Sequence, residues 1–215
     1  SGILHPSGLG FLGDIDIIAK YGLMLIPFIL GSFFVNDYLI LHSFSNNREV
    51  VEEQNYAVAV VEAATLIGTG YIMRCALAGW EGGFWVSVGW FIIGQIFFIL
   101  IARVYCLMAK SIFEELDNHN LAAAFSFSGF ILGGAIIMGH GVHGEFTSWT
   151  QDIIVVAVYL PMWLGVMAAV SWAADLVIYP GVRLRDEVVI NRNIGAGYVE
   201  GVLFVSFSML FSVVL

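Results

Sequence analysis

Four acids occupy matched places in stretches that are otherwise oily. Glu62 and Glu200 lie seven residues after Asn55 and Asn193, and Asp37 and Asp175 lie eighteen residues before those same Asn residues. At about 1.5 Å of helix rise per residue, the two Glu sit about 10 Å past each Asn. Inside a bilayer an ionised acid is disfavoured by about 3 kcal/mol at mid-helix, so each must face protein, face water or be protonated. One reading therefore has Asp37, Glu62, Asp175 and Glu200 lining a cavity that binds protons or small cations, with Arg103 as counter-ion. The other is structural: Asp37 and Asp175 are wet at the interface, and Glu62 and Glu200 bond to Ser, Thr or backbone groups between helices. The sequence leaves both open. Around Asn120 the matching positions hold Ala102 and Phe127, which excludes a symmetric threefold ring of acids.

Met138, His140 and His143 fall in MGHGVHG, where a His-x-x-His spacing with a nearby thioether could hold copper or zinc. An ordinary interfacial loop explains the same residues. Signatures of catalysis are missing: there is no Gly-x-Ser-x-Gly, phosphate loop, His-Glu-x-x-His or metal-spaced Cys pair. The expectation is a protein that is not an enzyme and that carries no cofactor.

These groups must be positioned by elements that composition restricts severely. The 215 residues are 60% apolar and 12% charged, too few charges to cover a soluble surface, and the net charge of −9 offers no basic patch for nucleic acid. A hydrocarbon layer of about 30 Å takes roughly 20 apolar helical residues. Six stretches qualify, at 21–40, 56–77, 84–108, 121–142, 153–179 and 194–215. None alternates with a period of two, so the fold class is all-α, a polytopic helical membrane bundle. Arg48, Arg103, Lys110, Arg183, Arg185 and Arg192 cluster in or beside the connections after the first, third and fifth spans, against Lys20 and Arg74 on the other side. Those connections should be cytoplasmic and both termini outside. The segment 1–16 is Gly-rich and acidic and does not read as a cleavable signal. Cys75 and Cys106 fall near opposite faces of the membrane, an unpromising arrangement for a disulfide.

The even-numbered spans share a pattern. NYAVAVVEAATLIGTGYIM from Asn55, NLAAAFSFSGFILGGAIIM from Asn120 and NIGAGYVEGVLFVSFSMLF from Asn193 each open with Asn, and a Glu lies six residues upstream at Glu49, Glu114 and Glu187. The chain divides into an outer segment 1–16 and three parallel helix pairs at 17–79, 84–142 and 153–215. Each Asn is expected to cap its helix, with the Glu near the positive end. Ala64 with Gly68, Gly129 with Gly133, and Gly197 with Gly201 are small-xxx-small pairs that let backbones approach, so these helices should form the centre of the bundle.

NLAAAFSFSGFILG, followed after the fifth span by VRLRDEVVINRNIGAGYVEG, resembles the YjfL-type family of small bacterial inner-membrane proteins, a domain of unknown function. The resemblance implies a multi-pass protein of the bacterial inner membrane built from this helix-pair unit, and implies no reaction. Two functions remain. One is a scaffold or accessory subunit that packs in the bilayer against other membrane subunits or itself as a homo-oligomer. The other is a proton or small-cation pathway through the intramembrane acids.

Overall fold

Backbone amides and carbonyls cannot be left unpaired in hydrocarbon, and a chain of long apolar runs satisfies them within helices. The computed structural model describes residues 11–35, 38, 48–78, 83–109, 112–143 and 146–215, and among them it contains helices and no strand. The helices are α1 (Phe11–Val35), α2 (Tyr56–Ala78), α3 (Gly83–Met108), α4 (Ile112–Asp117), α5 (Leu121–Val142), α6 (Trp149–Ala173), α7 (Leu184–Val189) and α8 (Ile194–Val214). A π-helical turn, Arg48–Glu52, precedes α2, and another, Ala174–Ile178, ends α6. Among the described residues five helices are long and apolar enough to cross a membrane: Tyr56–Leu77, Trp85–Met108, Leu121–Val142, Trp149–Ile178 and Ile194–Val214.

Helix α5 is the centre. Its small residues, Ala122, Ala123, Ala124, Ser126, Gly129, Gly133 and Gly134, are buried, because α2 packs along one side of it and α8 along the other, while α3 and α6 pack behind. A helix this poor in bulk buries itself by letting neighbours close to backbone distance, where dispersion substitutes for the hydrophobic drive that lipid does not supply. Behind the row, Phe130 is fully buried between Trp163 and Phe204, with ring centroids 4.8 and 5.4 Å away. The indole of Trp163 donates to Ser208 Oγ at 2.7 Å, and Ser208 donates in turn to the Phe204 carbonyl at 2.6 Å. The outer faces of α6 and α8 expose Ile154, Val158, Trp172, Leu210 and Val213, as a lipid-facing surface should.

Two boundaries differ from the expected ones. Helix α1 already includes Phe11 and so takes in part of the segment read as 1–16, while residues 36, 37, 39 and 40 of the first expected span lie outside the described residues. Helix α6 begins at Trp149 rather than 153, because Ser148 Oγ accepts from the Gln151 amide and starts the helix a turn earlier. Cys75 and Cys106 are free, on α2 and α3.

The three residues just before Asn55, Asn120 and Asn193 share a left-handed backbone: φ is +53° at Gln54, +57° at His119 and +49° at Arg192. Such a turn stops the connector and re-aims the chain into the membrane, and it is strained for a side chain with a Cβ. His119 is exposed, so His119→Gly should stabilise the protein by about 0.5–1 kcal/mol. A reversible unfolding titration in mixed micelles checks this, and an unchanged or lowered midpoint contradicts it.

Candidate functional site

The polar interior begins at the connectors. Asn55 Oδ1 accepts from the amides of Ala57 and Val58, and Asn120 Oδ1 from those of Ala122 and Ala123, while Asn193 Oδ1 accepts from Ala196. Each is a helix cap made by the short side chain that reaches the orphan amides of a first turn. The Nδ2 group then works outward. It donates to Glu49 from Asn55 (3.0 Å), to Glu115 from Asn120 (2.8 Å) and to Glu187 from Asn193 (3.1 Å). In the second connector the partner is thus Glu115, one residue later than the Glu114 expected from spacing. The reason is local: Asn120 N bonds the carbonyl of Glu115, whereas Asn55 N and Asn193 N bond those of Glu49 and Glu187, one residue further back.

The same Nδ2 groups also tie one connector to the next. Asn55 donates to the Leu116 carbonyl at 2.9 Å and Asn120 to the Val188 carbonyl at 3.0 Å, and both Asn residues are buried. Arg192 adds an ion pair to Glu115 at 3.3 Å. The connectors therefore meet at one end of the bundle. Asn193 is exposed, and among the described residues it reaches no further connector.

The small residues lie where the row is tightest. A Cβ on Gly129 would collide with the backbone of Gly201, one on Gly201 with the Phe125 carbonyl and one on Gly197 with the Ala122 carbonyl. Gly133 faces Ser208 Oγ, and Gly68 faces Phe98 and the Cβ of Ala135. Ala64 is buried on α2.

That close α5–α8 crossing brings one of the four acids against hydroxyls. Ser126 Oγ on α5 donates to Glu200 Oε2 at 2.5 Å and lies 2.6 Å from the phenol of Tyr105 on α3, so Tyr105 donates to Ser126 and a hydroxyl chain ends on the carboxyl. The Tyr105 ring is buried against Phe127 and Phe130, with centroids 4.8 and 5.1 Å away, which fixes its hydroxyl. Glu200 lines a cavity of about 270 Å³ together with Tyr105, Ser171, Asp175 and Arg185. Asp175 also accepts from the Leu184 amide at 2.8 Å, starting α7 and holding Arg185 at the rim.

Of the acids singled out from the sequence, Asp175 and Glu200 share this cavity. Glu62 is half-buried on α2 and is not among its lining residues. Asp37 lies outside the described residues. Arg103 is exposed on α3 and does not line the cavity; among the described residues the cation there is Arg185. Spacing could not find Arg185, because it reaches the cavity through the tertiary placement of α7, whose Leu184 amide donates to Asp175. Tyr105 and Ser126 were also missed, although a Ser at the depth of Glu200 in a neighbouring helix is a usable signal.

The histidine group is split. Met138 is buried in the core, whereas His140 and His143 line a separate cavity of about 250 Å³ with Asp152 and Tyr159. His140 packs on Tyr159 with centroids 6.0 Å apart, and among the described residues no three His, Cys, Asp or Glu come together as metal ligands. The Met138–His140–His143 set therefore does not assemble, because α5 sends Met138 inward.

Comparison with known proteins gives a family and one relative. The family model described as Domain of Unknown Function (DUF350) matches residues 8–77 and 79–215, dividing the chain between α2 and α3. A UPF0719 transmembrane protein of Aquifex aeolicus (strain VF5) is 28% identical over 131 residues, covering 60% of this chain. The match spans about 45% of that relative's length. No solved structure matches the chain.

Proposed function

The chain belongs to the DUF350 family, and on that footing we propose that it is a scaffold of the bacterial inner membrane that packs against itself or other membrane subunits. In this reading it is not an enzyme and needs no cofactor. It resembles the YjfL-type proteins, and α1 is a first span preceding five others. Three parallel helix pairs have their connectors in the cytoplasm and both termini outside. The shared caps and left-handed turns at Asn55, Asn120 and Asn193 support the repeat. The meeting of the connectors at one end supports the common orientation.

The observation that carries the scaffold reading is the way the described polar groups are used. Asn55 and Asn120 tie neighbouring connectors together, the glycines of α5 and α8 meet backbone to backbone, and Glu62 does not line the cavity that Glu200 lines. Association should therefore be independent of the acids. Chemical cross-linking in native membranes, followed by mass measurement, is expected to give the same assemblies for wild type and for the Asp175→Asn, Glu200→Gln double variant. A chain recovered only as an isolated monomer contradicts the proposal.

One observation favours a second reading, a proton or small-cation pathway: the Tyr105–Ser126–Glu200 chain ends on a cavity that also holds Asp175. A positioned carboxyl fed by hydroxyls can take up and pass on a proton. It predicts that Glu200→Gln lowers proton flux in proteoliposomes to the level of empty vesicles. Wild-type protein giving no flux above empty vesicles sinks it.

A further inference from the structure

One seam is built twice within the chain. Gly68, thirteen residues after Asn55, faces Ala135, fifteen after Asn120; the Cβ that Gly68 lacks would lie 3.1 Å from that of Ala135. Gly133, thirteen after Asn120, faces Ser208, fifteen after Asn193, and its missing Cβ would lie 2.6 Å from Ser208 Oγ. At the connector end of each seam an Asn reaches the backbone of the following connector, Asn55 to Leu116 and Asn120 to Val188. The relation of α2 to α5 is thus the relation of α5 to α8, and the second carries on from the first.

Continued one step, the series has both halves of a third seam ready. Its leading half is on α8, where Asn193, Tyr198, Val202 and Ser206 stand at the places that Asn120, Phe125, Gly129 and Gly133 hold on α5, and all four are exposed. Its receiving half is on α2, where Ala63 and Gly70 stand at the places that Gly201 and Ser208 hold on α8. Ala63 is exposed, and a Cβ on Gly70 would meet nothing within 4 Å. The carbonyl matching those of Leu116 and Val188 is that of Val50, which follows Glu49 as they follow Glu115 and Glu187.

The chain does not close this seam on itself. Helices α2 and α8 form opposite walls of an apolar groove of about 330 Å³ that runs over α5. Ser128 lines that groove, only 6% exposed and without a hydrogen-bond partner among the described residues, an unfavourable setting for a hydroxyl beneath an apolar groove. A head-to-tail surface of this kind is completed by another molecule carrying the opposite half.

We propose that the occupant is a second copy of this chain: α8 of one copy docks on α2 of the next, Asn193 donating to the Val50 carbonyl and Ser206 lying against Gly70. This rests on the scaffold reading and names its partner and surface. The test uses two differently tagged full-length copies in one membrane, one carrying Gly70→Cys and the other Ser206→Cys, with Cys75→Ala and Cys106→Ala in both. Oxidation is expected to give a disulfide-linked heterodimer from the mixed pair and not from either copy alone. Adding Val202→Trp to the Ser206→Cys copy should lower its yield by about tenfold or more. In otherwise native chains Gly70→Leu, which has room in the monomer, should dissociate the assembly without unfolding it. Assemblies that persist in Gly70→Leu with no cross-link overturn this inference and leave the scaffold reading standing. A chain that is monomeric throughout overturns both.

Discussion

Gly129→Leu is expected to abolish the folded bundle, lowering stability by more than about 3 kcal/mol, because the new side chain has backbone in its path rather than a side chain that can rotate away. The added Cβ alone would overlap the Cα, carbonyl carbon and oxygen of Gly201. Relief requires α5 and α8 to separate along their length, which also breaks the Ser126–Glu200 bond and uncovers Phe204. Gly197→Leu should behave alike, since its Cβ would strike the Ala122 backbone. Gly165→Leu is the control: its Cβ would meet nothing within 4 Å, and the shift should stay within about 0.5 kcal/mol. Unfolding in mixed micelles followed by tryptophan fluorescence reads all three. A Gly129→Leu protein with a wild-type midpoint would mean that α5 and α8 do not cross at these glycines.

Asn120→Ala should be among the most damaging polar substitutions, together with Asn55→Ala, which loses the same four kinds of bond. The Asn120 change removes two cap bonds, the bond to Glu115 and the bond to the Val188 carbonyl, at a site only 2% exposed. Losing a cap is worth about 1 kcal/mol, and stranding buried acceptors adds about 1–3 kcal/mol, so a total of about 3 kcal/mol is expected. Asn193→Ala in the monomeric chain should lose only about 1 kcal/mol, because water replaces what the exposed side chain gives up. The contrast is the test. Equal losses at Asn120 and Asn193 would show that the link from Asn120 to Val188 contributes nothing beyond capping.

Much of the architecture was legible because it is set by properties local to the chain. The spans at 56–77, 84–108, 121–142 and 194–215 were found within a residue or two, since hydrophobic length alone decides what can cross hydrocarbon. The caps at Asn55, Asn120 and Asn193 were equally readable, because an Asn before an apolar run has amides only two or three residues away to satisfy. Beyond the starts of α1 and α6, the failures were partners. Glu115 displaced Glu114 as the companion of Asn120. Arg185 stands where Arg103 was expected, and Met138 turned away from His140 and His143. In each case a choice among residues of similar type was decided by a turn or a helix face that spacing does not encode.

By itself the sequence determined that this chain is an oily helical bundle, where four of its long helices run, that Asn55, Asn120 and Asn193 start three of them and that small residues let them touch, because each depends on a few consecutive side chains and on the solvent they meet. Tertiary structure alone decided that Glu200 bonds Ser126, and through it reaches Tyr105, at a cavity that Glu62 does not line. It also decided that Asn120 is walled in while Asn193 is left at an open end. Equal positions in a repeat have equal local surroundings, but a row of three has a middle and two ends, and only packing between distant helices tells them apart.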